Sequence, residues 1–457
     1  MKILFSALGD TDPIRGCYDG ACLHIVRHYQ PEQVVLFYSA DMEKKEKKDQ
    51  RYTRALKSVA PKCEIKEIFS KIENVHIYDE FMTVLPDEVR RLHKDFPNAK
   101  ILLNLSSGTP QIKTVLAILA VEEERWCCGV QVTSPEHGSN RNNPAVTDEE
   151  DVDALLNNNL DNEEETENRC SEPPIKILHY YGEKNRILSL IEQYAYDGAL
   201  QLAKQSDMIP EETKKLLRHA AHRARLETDK AKDALRSYNG YHLFPFHDDE
   251  KMESLLEYFF TMQLAERQGD LSSLLLKAIP FLYTFLRQYL IEQKRLSLPS
   301  LLAPESKKLS RELMEKKAPK LLEFLNTKNS YTFTDSKLSY YLCDQICQYL
   351  EEKQLANNSE QHNAIMVELG KLRGTDIDED GIKSKNKTNT LRNMTAHEII
   401  NVNEKKFRVD IGLSPKEFVN ACLQLLRLYC EEKGRKIRNN PYDDLNEWIR
   451  VSLTKTE

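Results

Sequence analysis

The stretch ILLNLSSGTPQ at residues 101–111 joins an apolar strand to a turn of small polar residues and then to a helix start. A nearly continuous apolar run is typical of a parallel strand that helices cover on both faces of its sheet. Pro110 suits the first position of a helix, where backbone N–H groups and the helix dipole point into the preceding loop. The stretch therefore predicts a strand–loop–helix unit whose loop suits an anionic or nucleotide ligand.

The same alternation of strand and helix extends through residues 1–135. Apolar or alternating strands are predicted at residues 3–5, 34–38, 63–68, 101–105 and 129–132, with helices at 20–29, 41–58, 77–96 and from 110 to about 124. Strands that alternate with helices in this way indicate a parallel, doubly wound α/β sheet, which is a Rossmann-like fold.

Ligands of such sheets bind outside the carboxyl ends of the strands. Two loops at predicted strand ends are rich in small polar groups, GDTDP at residues 9–13 and SSGTPQ at residues 106–111. Neither loop contains a G-x-G-x-x-G dinucleotide motif or a P-loop lysine. Ordinary strand-to-helix turn chemistry therefore remains an alternative to a ligand site.

An acidic, Asn-rich break at residues 136–174 separates this domain from the rest of the chain. Residues 145–169 hold ten acidic residues and one basic residue, a charge of −9, so the remaining chain carries −7 + 9 = +2. We interpret the break as a solvated linker or surface loop. The nearly neutral remainder does not exclude a nucleic-acid partner.

From residue 175 onward, apolar residues recur at helical spacing and strands are scarce. Polar breaks near residue 300 predict two all-α domains, a middle one at 175–300 and a C-terminal one at 301–457. The apolar run 271–291 contains Lys277, Pro280 and Arg287, so we expect buried helices and no membrane span. Ten cysteines without a scaffold spacing indicate reduced thiols and a cytoplasmic protein.

The sequence RNMTAH at residues 392–397 supplies an arginine, an amide and a histidine in a predicted helix. Histidine can transfer protons near neutral pH, and arginine can stabilise charge on a phosphoryl oxygen. At about 100° per residue, Asn393 and His397 share a face, whereas Arg392 lies roughly 140° from His397. One helix thus directs them poorly at one phosphate, and a second copy of the chain would help. An exposed arginine and an ordinary helical histidine are the alternative.

Metal motifs are incomplete in this region. The segment beginning at His397 has Asn401 where a zinc-protease helix needs a second histidine. The segment at 376–381 resembles the first half of a calcium loop but has Lys387 in place of the final glutamate. We therefore predict no metal site.

The two loops, the acidic break and the RNMTAH motif in a helical half together resemble one family. They are similar to the accessory ribonucleases of type III CRISPR systems, in particular the Csm-type ones. These join a CRISPR-associated Rossmann-fold (CARF) sensor to a HEPN ribonuclease domain. The resemblance implies a homodimer that binds cyclic oligoadenylate at the CARF interface, hexa-adenylate rather than tetra-adenylate, and then cleaves single-stranded RNA without a metal or other cofactor.

The resemblance also implies roles for individual residues. Arg392, Asn393 and His397 correspond to the catalytic motif of the family, with Asn393 expected to orient His397. The positions expected to bind the cyclic oligoadenylate are Gly9, Asp10, Thr11, Asp12, Ser39, Asp79, Ser107, Gly108, Thr109, Gln111 and Lys113. In some members the CARF site also degrades its activator, and Thr109 and Gln111 would lie near that chemistry.

The chemistry of RNA agrees with this expectation. The 2′-OH is an internal nucleophile, so an enzyme that aligns it, stabilises the phosphorane and protonates the leaving 5′-oxygen needs no metal. The products would be a 2′,3′-cyclic phosphate and a 5′-hydroxyl. A non-catalytic nucleotide sensor that dimerises through its helical half is the alternative function.

Overall fold

The computed structural model describes residues 1–135, 151–163, 165–236, 244, 248–329, 332–373, 387–437 and 440–454. The segment 376–381, considered above for calcium, and residues 136–150 and 164 of the acidic break lie outside these ranges. The chain divides into two compact units, an N-terminal unit Met1–Gly182 and a helical unit Glu183–Glu457.

The N-terminal unit is a six-stranded sheet with helices on both faces. The sheet strands are β1 (Lys2–Ala7), β4 (Gln33–Tyr38), β5 (Glu64–Phe69), β6 (Lys100–Asn104), β7 (Cys127–Val132) and β8 (Cys170–Ser171), and β2 (Ile14–Arg15) pairs with β3 (Tyr18–Asp19) in a separate hairpin. The order across the sheet is β5-β4-β1-β6-β7-β8. The first five strands are parallel and β8 is antiparallel to β7. The predicted doubly wound α/β fold is confirmed.

Each face of the sheet has its own apolar core. The helices of this unit are α1 (Ala21–Tyr29), α2 (Ala40–Asp49), α3 (Arg51–Val59), α4 (Val84–Asp95), α5 (Pro110–Glu122) and α6 (Val152–Asn157), with α7 (Lys176–Glu192) crossing the unit boundary. Leu85, Val89 and Leu116 lie in the core on one face, and Leu23, Ile25 and Leu56 lie in the core on the other. The sequences of the central strands are almost entirely apolar because helices cover both faces of the sheet.

Two predicted helices differ from the structure. The helix expected at residues 77–96 begins only at Val84, and the preceding residues form a loop with a single 3-10 turn at Tyr78–Glu80. The helix expected at 41–58 divides at Gln50, whose φ of 55° is left-handed and ends α2. The first error arose because Ile77 and Phe81 continue the four-residue spacing of Leu85 and Val89 although they precede the helix. The second arose because the polar run 43–50 gives no sign of where a helix ends.

The described part of the acidic break contains regular structure where we expected a linker or surface loop, although most of its residues are exposed, as expected for a solvated segment. It contains α6, a 3-10 turn at Leu160–Asn162 and β8. Asp161 and Arg169 are buried and form an ion pair, and Asp161 also accepts a hydrogen bond from the backbone N–H of Asp19 (2.7 Å). The charges of this segment therefore hold it against the N-terminal unit.

The helical unit begins with α8 (Tyr196–Lys204), α9 (Glu211–Ala224) and α10 (Thr228–Ala234). It continues with α11 (Glu250–Arg267), α12 (Leu271–Ile291), α13 (Arg311–Lys317), α14 (Pro319–Asn329), α15 (Tyr340–Glu352), α16 (Ser359–Arg373), α17 (Lys387–His397), α18 (Glu404–Ile411), α19 (Pro415–Glu432) and α20 (Pro441–Ser452), and with the short strands β9 (Lys308–Leu309) and β10 (Ser336–Lys337). The predicted all-α character is confirmed.

The expected division near residue 300 is not apparent among the described residues. Helix α12 packs against α15 and α17, and α11 packs against α19. Tyr196 donates a hydrogen bond to Asn446 (2.8 Å), so the first helix of the unit contacts the last. Helix α12 is the one described helix long and apolar enough to cross a membrane, and half of it is buried in this unit.

Candidate functional sites

The two polar loops meet in the middle of the sheet. Residues 9–13 follow β1 and residues 106–111 follow β6, and these two strands are neighbours. From β1 the chain continues through β4 to β5, whereas β6 and β7 lie on the other side, so the strand order reverses between β1 and β6. Open α/β sheets bind ligands at such a switch point. The sequence-predicted loops therefore occupy one site.

Two glycines allow the loops to approach each other. A Cβ built on Gly9 would lie 2.8 Å from the backbone nitrogen of Gly108. Gly108 has a φ of +81°, a conformation that L-residues with side chains rarely adopt. Both expected loop glycines are thus needed for the shape of the site.

A buried hydrogen-bond network joins the loops. The Asn104 Nδ2 donates to the Oγ of Ser6 (2.9 Å) and to the Oγ of Ser107 (2.8 Å). The Ser107 Oγ donates to Asp12 Oδ1 (3.1 Å). Asp12 also accepts from the backbone N–H groups of Gly9 and Cys22 (3.1 Å each). The Asp12 and Ser107 side chains are buried, so they hold the loops in place beneath the surface.

Burial of Asp12 has an electrostatic consequence. It raises the pKa of this carboxyl from 3.8 to about 6, although hydrogen bonds from Cys22 and Ser107 act in the opposite direction. Desolvation disfavours a buried carboxylate unless donors fully compensate for the lost water. Asp12 therefore titrates between about pH 5 and pH 7.

Asn104 was missed by the sequence predictions. It is fully buried at the end of β6, and its Oδ1 also accepts from the backbone N–H groups of Ser106 (2.9 Å) and Ser107 (3.3 Å). An amide that ends an otherwise apolar strand is the signal that could have identified it, because a buried amide needs several partners.

Most other expected ligand residues surround this network at the surface. Thr109 caps α5 without a side-chain bond to that helix, and its Oγ donates instead to Val75 O (3.1 Å). The Oε1 of Gln111 is buried and has no hydrogen-bond partner in the part of the chain that the structure describes. Thr11 and Lys113 are half-buried. The first turn of α5 has no acidic residue, so its N-terminus is compatible with an anion.

Three further expected residues lie around the two loops. Asp10 is exposed and accepts a hydrogen bond from Lys45 (2.8 Å). Ser39 is buried at the N-terminus of α2, after β4, which neighbours β1. Asp79 is exposed in the 3-10 turn that packs beside α5. The first loop, Ser39 and the second loop thus follow adjacent strands, with Asp79 on one flank.

One buried cluster combines residues of metal-ligating types. Ligand atoms of Asp19, His24 and Asp161 all lie within 4.8 Å of one another. Arg27 Nε binds Asp19 (2.8 Å), and Arg169 forms an ion pair with Asp161. These guanidinium groups balance the carboxylates, so we interpret the cluster as an ion network that links Asp161 and Arg169 to the β2–β3 hairpin and to α1.

The second candidate site is on α17. Leu391 is buried on the side of α17 that packs against α12, and Thr388 Oγ donates to Leu372 O (2.5 Å). Asn393 and His397 are exposed and Arg392 is half-buried. The helix persists to His397, so Arg392 and His397 keep the angular separation predicted for them.

The contacts within this motif differ from those expected. Arg392 donates from one terminal nitrogen to Asn393 Oδ1 (3.0 Å), whereas its Nε is buried and has no hydrogen-bond partner among the residues that the structure describes. The His397 ring has no hydrogen-bond partner within the described ranges. Asn393 therefore positions Arg392. No hydrogen bond through which Asn393 could orient His397, as expected, is found within the described ranges.

Three family models match successive parts of the chain. They are the Cas_Csm6 CARF domain at residues 63–170, the CRISPR-associated protein Csm6 6H domain at 173–224 and the Cas_Csm6 HEPN domain at 243–450. The CARF match contains the second loop and the folded part of the acidic break. The HEPN match contains α17 and its motif.

Curated relatives match over nearly the whole chain. The CRISPR system endoribonuclease Csm6 of Mycobacterium tuberculosis is 29% identical over 98% of this chain and 97% of its own length. The Csm6 of Enterococcus italicus is 27% identical over 88% of this chain and 89% of its own length. A solved structure of Enterococcus italicus Csm6 bound to cyclic hexa-2′-fluoro-hexa-dAMP shares the fold, with a TM-score of 0.60, 23% identity and 99% coverage of both chains.

The fold and these matches define a CRISPR-associated endoribonuclease with an N-terminal CARF domain and a C-terminal HEPN nuclease domain. The 6H domain lies between them. The chain belongs to the Csm6 family of type III CRISPR accessory ribonucleases.

Proposed function

We propose that cyclic oligoadenylate, bound at the two loops of the N-terminal unit, activates metal-independent cleavage of single-stranded RNA at the α17 motif. The observation that carries this proposal is that Asn393 and His397 are exposed on α17 and that Arg392, next to Asn393, is only half-buried. Among the described residues, the Nε of Arg392 has no hydrogen-bond partner, so the guanidinium keeps donors that are not committed to this part of the protein and can serve a phosphoryl oxygen.

The reaction uses the 2′-OH of the RNA as its nucleophile. His397 transfers protons between the 2′-OH, the leaving 5′-oxygen and solvent, and Arg392 stabilises the charge of the phosphorane. Asn393 keeps the arginine side chain in place through the 3.0 Å hydrogen bond. The products are a 2′,3′-cyclic phosphate and a 5′-hydroxyl.

We propose that the active site contains two copies of the motif in a homodimer. Arg392 and His397 lie roughly 140° apart around one helix, so a single copy does not direct both at one phosphate. A two-fold axis would place the arginine of each copy near the histidine of the other. Each chain would then provide half of the catalytic groups.

We propose that the activator is cyclic hexa-adenylate rather than tetra-adenylate. The loops offer glycine backbone, hydroxyl and amide groups and the N-terminus of α5, which suit phosphates and adenine edges. A cyclic hexanucleotide analogue is bound by the Enterococcus italicus protein, which shares this fold. We also propose that slow breakdown of the activator, if it occurs here, takes place near Thr109 and Gln111 at the N-terminus of α5. We further propose a cytoplasmic location, which agrees with ten free cysteines.

RNA cleavage in EDTA tests the catalytic part of the proposal. We expect the parent protein to cleave single-stranded RNA with cyclic hexa-adenylate and to leave 2′,3′-cyclic phosphate ends. His397→Ala should lose this activity, whereas His222→Ala, which alters a histidine paired with Glu227, should keep it. No cleavage by the parent with any ring size would favour a purely regulatory protein, and undiminished cleavage by His397→Ala would reject the catalytic assignment.

Mixing Arg392→Ala with His397→Ala tests the shared site. If the arginine of one copy acts with the histidine of the other, each mixed dimer contains one intact pair, and the mixture regains activity that neither variant has alone. If each chain holds a complete site, the mixture stays as inactive as the separate variants. Dissociation and reassociation before the assay allow the subunits to exchange.

A further inference from the structure

A second cleft lies beside the two loops at the same edge of the sheet. Its volume is about 100 Å³, and its walls include Thr11, Arg15, Tyr18, Ser106, Thr133 and Arg169. Thr11 belongs to the first loop and Ser106 begins the second, so the cleft is continuous with the loop site. Its other walls come from the β2–β3 hairpin and from the chain around β7 and β8. We call it the side cleft.

The side cleft has a rigid wall. The guanidinium carbon of Arg169 lies 5.7 Å from the centre of the Tyr18 ring, within the range of a cation–π contact. Arg169 is buried and is fixed by Asp161, by His24 Nδ1 (3.0 Å) and by Thr133 O (3.4 Å). The Tyr18 ring therefore lies against a fixed neighbour in the wall of the cleft, and the charge of that neighbour is already balanced by Asp161.

The chemistry of the walls suits one nucleotide. Tyr18 provides an aromatic ring on which a base can stack, and Thr11 and Thr133 provide hydroxyl groups for hydrogen bonds to its edge. Arg15 brings positive charge for a phosphate. None of these features depends on base pairing or on a metal.

We propose that the side cleft binds one nucleotide of the activator and thereby selects for ring size. This inference rests on the proposed binding of cyclic oligoadenylate at the loops. If a two-fold pair of chains shares one ring, each chain contacts half of it, which is three nucleotides of a hexa-adenylate and two of a tetra-adenylate. Both rings engage the central loops, and the third nucleotide of the larger half-ring occupies the side cleft.

The test compares the affinities of the full-length protein for the two rings by isothermal titration calorimetry. Tyr18→Ala removes the stacking surface and should weaken hexa-adenylate binding about 5- to 150-fold, the range for loss of one base–aromatic stack. Tetra-adenylate affinity should stay within about twofold. Tyr18→Phe keeps the ring and should bind hexa-adenylate like the parent.

Arg15→Gln should also weaken the larger ring selectively. Arg90→Ala serves as a matched control because Arg90 pairs with Glu123 at the far end of α5. Thermal unfolding midpoints equal to the parent's verify that each variant folds.

Three results would overturn the assignment of the side cleft. They are unchanged hexa-adenylate affinity in Tyr18→Ala, an equal loss for both rings, and a parent protein that prefers tetra-adenylate. A parent protein that binds neither ring would refute the proposed function itself, and the side cleft with it. If the parent binds tetra-adenylate too weakly to measure, the hexa-adenylate affinities decide. Affinity that is lost in Tyr18→Ala and kept in Tyr18→Phe supports the side cleft, and any other pattern overturns it.

Discussion

The two candidate sites differ in how firmly one chain holds them. At the loop site, Asn104, Ser107 and Asp12 form a buried network that fixes both loops. On α17, by contrast, the Arg392–Asn393 bond is the one contact among the three motif side chains, and His397 has no partner in the described ranges. The loop site is therefore preorganised within one chain. The motif on α17 supplies the side chains that a phosphate site needs, but one chain does not bring them together.

This difference predicts two kinds of response to mutation. Changes in the loop network should weaken activator binding and leave the maximal cleavage rate intact, because saturating activator restores the active state. Changes on α17 should lower the maximal rate and leave activator binding intact. Four predictions, from the largest effect to the smallest, test this separation.

Arg392→Lys should reduce the cleavage rate at saturating activator by about 100-fold or more. Lysine keeps the charge but loses the planar fork that binds two phosphoryl oxygens. Asn393→Ala should cost less, about tenfold, because it removes only the residue that positions Arg392. Single-turnover cleavage assays measure both rates, and activator affinity should match that of the parent. A weakened activator affinity in either variant would contradict the expected separation between activator binding at the loops and cleavage at α17.

Asn104→Ala should raise the activator dissociation constant about 5- to 150-fold and leave the maximal rate unchanged. The variant leaves the hydroxyls of Ser6 and Ser107 without their shared donor, a loss of about 1–3 kcal/mol. Calorimetric titration and a cleavage assay at saturation give the two quantities. Asn98→Ala, an exposed amide on the same domain, is the control. A fall in maximal rate with unchanged affinity would contradict the prediction.

Asp12→Asn should remove a pH dependence of stability. The folded pKa of about 6 lies above the unfolded value of 3.8. Between these values the folded chain keeps a proton that the unfolded chain has released, so stability falls as pH rises. The total is about 3 kcal/mol. The stability of Asp12→Asn relative to the parent should therefore increase from pH 4 to pH 7 in denaturant unfolding. A constant difference would show that Asp12 does not titrate in this range.

Ser414→Ala should reduce the free energy of unfolding by about 1 kcal/mol without affecting either activator binding or the maximal rate. Ser414 and Glu417 form a capping box at the start of α19, away from both candidate sites in sequence. Thermal unfolding detects the change. Ser414→Ala is the reference for a variant that loses stability alone. A lower maximal cleavage rate in this variant would mean that α19 influences the site on α17.

Much of the fold was predictable because strong local patterns coincide with burial. The apolar strands, the loops after β1 and β6 and the start of α19 at Ser414 all follow from short sequence signals. The switch point between β1 and β6 also follows, once the sheet is known to be doubly wound.

The rest depends on contacts between residues far apart in the chain. Asp161 pairs with Arg169 and lies beside His24, so a segment whose residues are mostly exposed also contains a buried ion pair. Asn393 was expected to orient His397, but its side chain accepts a hydrogen bond from Arg392 instead. Charge runs and helical spacing do not reveal such pairings.

The antiparallel direction of β8 determines where the chain leaves the N-terminal sheet. Val132 pairs with Cys170 and Gln131 with Ser171, so β8 runs away from the loop edge. The next residue, Glu172, accepts a hydrogen bond from Lys100 at the start of β6 (3.2 Å). The backbone after β8 therefore heads away from the loop edge, and the Glu172 carboxylate ties this exit to the first residue of β6 rather than to the loops.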